Sequence, residues 1–282
     1  MLLDVAQAGR EEMKTAPWIF VAGLSVLGST GTAQAQTRPG FELGSELFDY
    51  SYRERSEGKT IVRDDGEFIG LTGSYVETIG SGLFLRARLS TDFGRVDYEA
   101  GNERLKNVSQ DIGQLELQIG RDFKLGSGTT LTPFAGLASR VLTDHSGGKV
   151  TQGGLQGYDR EISYGYVPVG IAAGLPVGSN LRLNLSVQYN WVIDGVSESK
   201  FSEIDPEAPD LKLDLRDGHG IEASAMLSVP LGGDALSFGP FVRQWNLDRS
   251  ESATFVEDGL SVEFFEPKNR TTEVGVRLSF GF

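Results

Sequence analysis

Between Leu181 and Ile193 the chain alternates without a break. Leu181, Leu183, Leu185, Val187, Tyr189, Trp191 and Ile193 occupy the odd positions, and Arg182, Asn184, Ser186, Gln188 and Asn190 the even ones. Successive side chains of a β-strand point to opposite faces, so this is a strand with one apolar and one polar face. Its length is the strongest constraint. Strands in soluble sandwiches usually run about 5–6 residues, whereas about 10 residues cross a bilayer when the strand is tilted by roughly 45°. The same long alternation recurs from Leu83 to Phe93, from Leu115 to Phe123 and from Val274 to Phe282.

Extended along the chain, the pattern predicts about ten strands, over residues 41–53, 67–78, 83–97, 112–124, 131–142, 161–175, 181–193, 219–231, 236–248 and 270–282. The intervening connections alternate between long ones of about 13–25 residues and short ones of about 4–6. The short ones carry turn chemistry: Gly80-Ser81-Gly82, Gly126-Ser127-Gly128, Gly178-Ser179-Asn180 and Gly232-Gly233-Asp234. The fold class expected is therefore all-β, an antiparallel up-and-down transmembrane β-barrel of about ten strands with both termini at the short-turn end. No linker breaks the pattern, so residues 36–282 read as one domain.

Composition excludes several functions. The 282 residues contain no Cys, which removes disulfide scaffolds, thiolate metal sites and cysteine nucleophiles. With 39 acidic against 26 basic residues the net charge is -13, the wrong sign for a nucleic-acid partner. Mean hydropathy is -0.19 because only alternate residues of such strands would meet lipid. Residues 1–35 read as an N-terminal extension plus a secretory signal peptide. Met13 and Lys14 open the positive region, Ala16 to Gly28 is the apolar middle, and Ala33-Gln34-Ala35 is the small-x-small cleavage site, which predicts translation from Met13 and cleavage after Ala35.

The polar faces of the strands predict a charged lumen: Glu42, Glu46, Arg86, Arg88, Asp92, Glu116, Asp122, Arg140, Arg182, Glu222, Glu273 and Arg277. A ten-stranded barrel is scarcely wider than the eight-stranded kind that side chains fill. Opposite charges are expected to pair across it, Glu46 with Arg277 and Arg88 with Asp122, leaving the lumen largely filled. A charged pore constriction is the alternative. Interfacial aromatic girdles are expected from Phe93, Tyr189, Trp191 and Trp245 at one end and from Phe41, Phe123, Phe238 and Phe282 at the other. Pro168 and Pro240 fall inside strands and predict bulges.

The closing segment, Glu273-Val274-Gly275-Val276-Arg277-Leu278-Ser279-Phe280-Gly281-Phe282, resembles the C-terminal signal of Gram-negative outer-membrane β-barrel proteins. That resemblance rests on Gly275, Leu278, Phe280 and Phe282. It implies a place in the cell outer membrane, with outer-membrane lipid and lipopolysaccharide as surroundings, and assembly through the barrel-assembly machinery. The ten-strand plan, and Tyr189-Asn190-Trp191-Val192 before the longest loop, also resemble the omptins, whose Asp-x-His pair at the outer rim activates water. Asp217-Gly218-His219 has that spacing, but the parity of Ile221, Ala223, Ala225 and Leu227 turns His219 toward lipid. Asp144-His145-Ser146 resembles the Ser/His set of lipid A deacylases, yet it opens a Gly-rich loop. Glu203, Asp205, Glu207, Asp210, Asp214 and Asp217 offer oxygen ligands for a divalent cation at the 203–217 loop. No cofactor and no catalytic residue are assigned. A structural or surface-interaction role is the expectation, ahead of a narrow porin-like solute channel and of an omptin-like or lipid A-modifying surface hydrolase.

Overall fold

The computed structural model describes residues 38–178, 180–257 and 260–282; the signal-type segment from Met13 to Ala35 lies outside the described residues. Fourteen strands follow in order: β1 Gly40–Ser56, β2 Lys59–Thr78, β3 Leu83–Ala100, β4 Glu103–Arg121, β5 Phe123–Lys124, β6 Thr130–His145 and β7 Arg160–Val177. Then come β8 Leu181–Ser199, β9 Leu211–Leu215, β10 Gly218–Leu231, β11 Asp234–Leu247, β12 Ala253–Glu257, β13 Leu260–Phe264 and β14 Lys268–Gly281. Ten long strands close into an antiparallel ring in the order β10-β11-β14-β1-β2-β3-β4-β6-β7-β8, with β8 pairing back onto β10. Closure leaves no edge, as a sheet in hydrocarbon requires. At the seam of the termini, Phe41 N donates to Phe282 O at 3.0 Å and Phe282 N to Phe41 O at 2.9 Å.

Alternation decides which face meets what. On β8 the odd residues from Leu181 to Ile193 point outward and the even ones inward. At about 3.3 Å per residue and a tilt of roughly 40°, that outward run covers about 30 Å of height, enough for a lipid band of about 25 Å. Leu43 and Leu47, Ile69 and Leu71, and Leu115, Leu117 and Ile119 continue the apolar belt round the ring. Arg121, an outward cation of β4, sits at the short-turn end with its guanidinium 5.4 Å from the Phe123 ring centre.

The long strands run past the belt at the end opposite the termini, and this corrects the expected loops. Residues 54–66 form no long loop: β1 and β2 continue to a tight turn at Glu57-Gly58, where both φ angles are positive. Residues 98–111 likewise hold the turn at Gly101 and Asn102. Above the lipid both barrel faces carry polar residues, as in Arg63, Asp64 and Asp65, so the period-two signal fades although the strand continues. Three long connections remain, over residues 146–159, 200–217 and 248–267, and they carry β9, which extends the sheet beside β8, and the β12–β13 hairpin.

Two further expectations change. Trp245 belongs to no girdle: it is buried inside the barrel against Tyr164 and Tyr166, at ring-centre distances of 5.3 and 5.0 Å. A bulge lies in the β7–β8 ladder between Gly165 and Tyr166, two residues before Pro168, and none accompanies Pro240. The β6–β7 ladder loses two pairings beside Pro168 and the β10–β11 ladder two beside Pro240, and each resumes in the same register. A missing N–H thus interrupts one ladder locally without adding a residue.

The lumen as candidate functional site

Every charged residue expected in the lumen lies on an inward-facing position, and most of them form one network. From β6 to β4 it alternates in sign: Arg140, Glu273, Arg243, Glu46, Arg277, Glu222, Arg88, Glu116. Arg140 pairs with Glu273, and Arg243 lies 3.2 Å from Glu273 and also pairs with Glu46. Glu46 accepts from Arg277 at 2.9 Å, Arg277 reaches Glu222 at 3.5 Å, Glu222 reaches Arg88 at 3.6 Å, and Arg88 reaches Glu116 at 3.9 Å. Gln188 then donates to Glu116 at 2.8 Å and Gln118 to Gln188 at 3.3 Å.

Two rungs cross the lumen. Arg140 on β6 and Glu273 on β14 stand half the ring apart, as do Arg88 on β3 and Glu222 on β10. Aromatic rings fill the level between and above them. Phe48 stacks on Phe68 at 5.3 Å, Tyr50 lies 4.8 Å from Phe68, and Trp245 packs with Tyr164 and Tyr166. Arg243 runs over the Phe241 ring at 4.6 Å and Arg140 over Trp245 at 5.3 Å. Close-packed rings with charge pairs between them leave little room for hydrated ions at this level.

Glu46 pairs with Arg277 as expected, directly opposite it in the β1–β14 register. Arg88 does not reach Asp122: the β3–β4 register puts it opposite Glu116, while Asp122 accepts the Thr132 hydroxyl at 2.5 Å near the short turns. Asp92 is wholly buried, but neither of its oxygens meets a hydrogen-bond donor among the described residues. Glu42 is exposed at the same end as Asp122. The sequence reading missed Arg243, the centre of the network. Its inward neighbours Phe241, Trp245 and Leu247 are apolar, the sequence reading puts Trp245 in an aromatic girdle, and the β10–β11 register puts Arg243 opposite Glu222.

A second cluster caps the lumen above the lipid band. Arg160 Nη1 lies 2.7 Å from Glu54 and 3.2 Å from Glu266, and the Tyr52 hydroxyl lies within donating distance of the same two carboxylates, at 3.0 and 3.3 Å. Beside them Gln110 donates to Asp144 at 2.6 Å and to Asp64 at 3.3 Å. Burial pushes the Asp64 carboxyl up to about 7, Asp144 and Glu54 adding to the rise against the pull of Arg160.

The other candidates separate. His219 faces outward and stacks on Tyr189 at 5.9 Å, as parity requires, with Asn246 3.4 Å from its Nε2. His145 Nε2 lies 2.9 Å from Asp111 and Nδ1 3.6 Å from Asp159, while the Ser146 hydroxyl donates to Asp144. The Asp111 hydrogen bond first, and then both carboxylate charges, raise the His145 pKa. An imidazole held between two acids is favoured in its charged form, and the Ser146 hydroxyl is turned away from it. In the 203–217 loop Glu203 accepts Asp159 N, Asp205 accepts Glu207 N and Asp210 accepts Ser202 N. No three of the described His, Asp and Glu groups converge to hold a metal ion. On β14 Leu278, Phe280 and Phe282 face outward, and Gly275 faces inward where a Cβ would stand 2.1 Å from Leu47 O.

A closed ten-stranded ring with an apolar belt and a charged interior is the fold of the outer-membrane β-barrels. No family model matches the chain, and no curated protein matches its sequence. Among solved structures it is similar to the outer membrane protease OmpT from Escherichia coli, with a TM-score of 0.57 over 86% of this chain and 97% of that one, at 12% identity. It is also similar to the transport unit of the autotransporter AIDA-I from Escherichia coli, TM-score 0.43, 8% identity, covering 88% and 91% of the two chains. An outer membrane channel from Pseudomonas putida F1 has TM-score 0.39 and 12% identity, covering 90% and 100%. At these identities the likeness is one of fold.

Proposed function

We propose that this protein is a sealed barrel of the Gram-negative outer membrane, with a structural or surface-interaction role carried by its extracellular rim and its three long loops. The observation behind this reading is the pair of charge rungs, Arg140–Glu273 and Arg88–Glu222, laid across opposite walls, with Trp245 packed against Arg140. Breaking such buried pairs to open a pore would strand their charges at several kcal/mol each. Outer-membrane lipid and lipopolysaccharide would surround the belt. The β14 residues Gly275, Leu278, Phe280 and Phe282 would present the final strand to the barrel-assembly machinery.

Planar-bilayer recording tests the reading. The purified protein is expected to give a quiet baseline, and large, stable unitary openings at moderate voltage would overturn it. Hydrolysis at the rim is the competing use of the fold. His145 and His219 lie on different strands, the Ser146 hydroxyl turns to Asp144 rather than to His145, and His219 stacks on Tyr189. Replacing both by Ala is therefore expected to leave surface phenotypes intact.

A further inference from the structure

Below the Arg88–Glu222 rung the lumen widens into a vestibule of about 530 Å3 that opens among the short turns and the chain termini. Five arginines line it, Arg38, Arg86, Arg88, Arg182 and Arg277, against two carboxylates, Glu42 and Glu222. Glu222 is occupied by Arg88 and Arg277, and Glu42 lies exposed at the rim. Arg86 and Arg182 differ from the network arginines: among the described residues neither has a carboxylate within 4.0 Å. Arg86 donates to the neutral Gln118 amide at 3.3 Å. Arg182 is fixed by Thr130 Oγ1 at 2.6 Å, Gly174 O at 3.1 Å and Gly128 O at 3.2 Å, all uncharged acceptors. Asp122 stands at the same end of the barrel and holds the Thr132 hydroxyl.

Two guanidinium groups are thus positioned by the walls without a contact ion pair, while Glu42 and Asp122 act on Arg86, and Asp122 on Arg182, only from a longer range. A guanidinium is the side chain best shaped for a carboxylate or a phosphate. The wall around them is rich in hydroxyls, from Thr72, Ser74, Ser186 and Ser224, and further round Asn184 donates to Ser228, which bonds Ser237. Val76, Phe134 and Met226 add an apolar share to the wall. The volume falls within the range of about 300–1,000 Å3 usual for small-molecule sites.

We propose that this vestibule binds a small polyhydroxylated anion, a sugar acid or sugar phosphate, that enters from the periplasmic side. Arg86 and Arg182 take the acid group, and the wall hydroxyls take the polyol. The proposal goes beyond the sealed-barrel reading and uses only the lower lumen. Conductance and binding are separate measurements, so a barrel that conducts yet binds the anion would remove the first reading alone.

Isothermal titration of the full protein in detergent micelles at low salt provides the test, with glucose 6-phosphate and D-gluconate as probes and glucose and inorganic phosphate as controls. Saturable binding of both probes is expected, with glucose and inorganic phosphate each weaker by about tenfold or more. Arg86→Gln and Arg182→Gln should each weaken the probes by about tenfold or more, while Arg53→Gln on the outer surface leaves them unchanged. Heat-modifiable gel mobility confirms that each variant has folded. No saturable binding of either probe up to about 10 mM, or equal binding by folded Arg86→Gln and Arg182→Gln, would overturn the site. Equal affinity for inorganic phosphate and glucose 6-phosphate would overturn the role of the hydroxyl wall.

Discussion

Replacing Arg243 by Met tests whether the lumen network holds the barrel together. Arg243 is 1% exposed and lies between two carboxylates, pairing with Glu46 and standing 3.2 Å from Glu273. Removing one partner of a buried ion pair costs about 3–5 kcal/mol, because the remaining charge is left in a medium that cannot solvate it. Here neither acid is fully orphaned: Glu46 keeps Arg277 at 2.9 Å and Glu273 keeps Arg140. The lower end, about 3 kcal/mol, is therefore expected, and Met preserves most of the contact with Phe48 and Phe241. Arg53→Met is the control, since Arg53 pairs at 2.7 Å with an Asp65 whose side chain is 57% exposed, and such pairs contribute about 0–1 kcal/mol. Equilibrium urea unfolding in lipid vesicles, followed by tryptophan fluorescence, reads both. Trp245 makes the probe local, its ring lying 5.3 Å from the Arg140 guanidinium. If Arg243→Met shifts stability no more than Arg53→Met, the network is not a structural element and the argument for a sealed lumen loses its energetic basis.

Three other perturbations address other parts of the fold. Leu117→Arg, in the middle of the outward face of β4, should cost about 2–4 kcal/mol in vesicles; a neutral result in the same urea titration would place that face away from lipid. Gly94→Ala should destabilise by about 1–3 kcal/mol because the new Cβ would stand 2.3 Å from the Phe68 ring, whereas Gly113→Ala, with nothing within 4 Å, should not. Asp64 predicts a pH dependence of known sign. Its folded pKa, about 7, exceeds the unfolded value, so its contribution is fully present below about pH 4 and is lost as pH rises through 7, by up to about 4 kcal/mol. Asp64→Asn should flatten the decline between about pH 4 and 7, and an unchanged slope would put the titrating group elsewhere.

How far the sequence reveals this molecule depends on what surrounds each strand. Inside the lipid band the two solvents differ most, so Leu181–Ile193 and Val274–Phe282 announce both their strands and their inward faces. Pairing β14 with β1 from the termini then gives Glu46 opposite Arg277 by counting. Above the band water lies outside and a packed aromatic lumen inside, so the familiar sense of the alternation inverts. Trp245 then reads as a girdle residue although it is core. That inversion hides Arg243, the capping cluster of Arg160 with Glu54 and Glu266, and the continuation of β3 and β4 to their turn. Read as a long loop, residues 98–111 supply no register, so nothing in the sequence sets Arg88 opposite Glu116 rather than near Asp122. The bulge between Val96 and Tyr98 shifts the count further.

The network also explains why charge, rather than an apolar filling, occupies the middle of the barrel. Replacing a buried ion pair by well-packed hydrophobic residues is often neutral or stabilising, so stability alone does not call for these residues. Register does. A strand that slips by two residues keeps its apolar face on lipid and its polar face inside, so alternation cannot prevent the error. Four neighbouring pairings do prevent it: Glu46 opposite Arg277, Arg88 opposite Glu116, Glu222 opposite Arg243, and Arg243 opposite Glu273. A two-residue slip of β14 would set Glu46 against Gly275 or Ser279, and a slip of β11 would set Glu222 against Phe241 or Trp245. Each such error strands buried charges at several kcal/mol, while only the native register keeps the three ion pairs and the Glu222–Arg243 juxtaposition together. The ion pairs therefore close the lumen and fix the stagger of β1, β3, β4, β10, β11 and β14 by one arrangement of the same side chains.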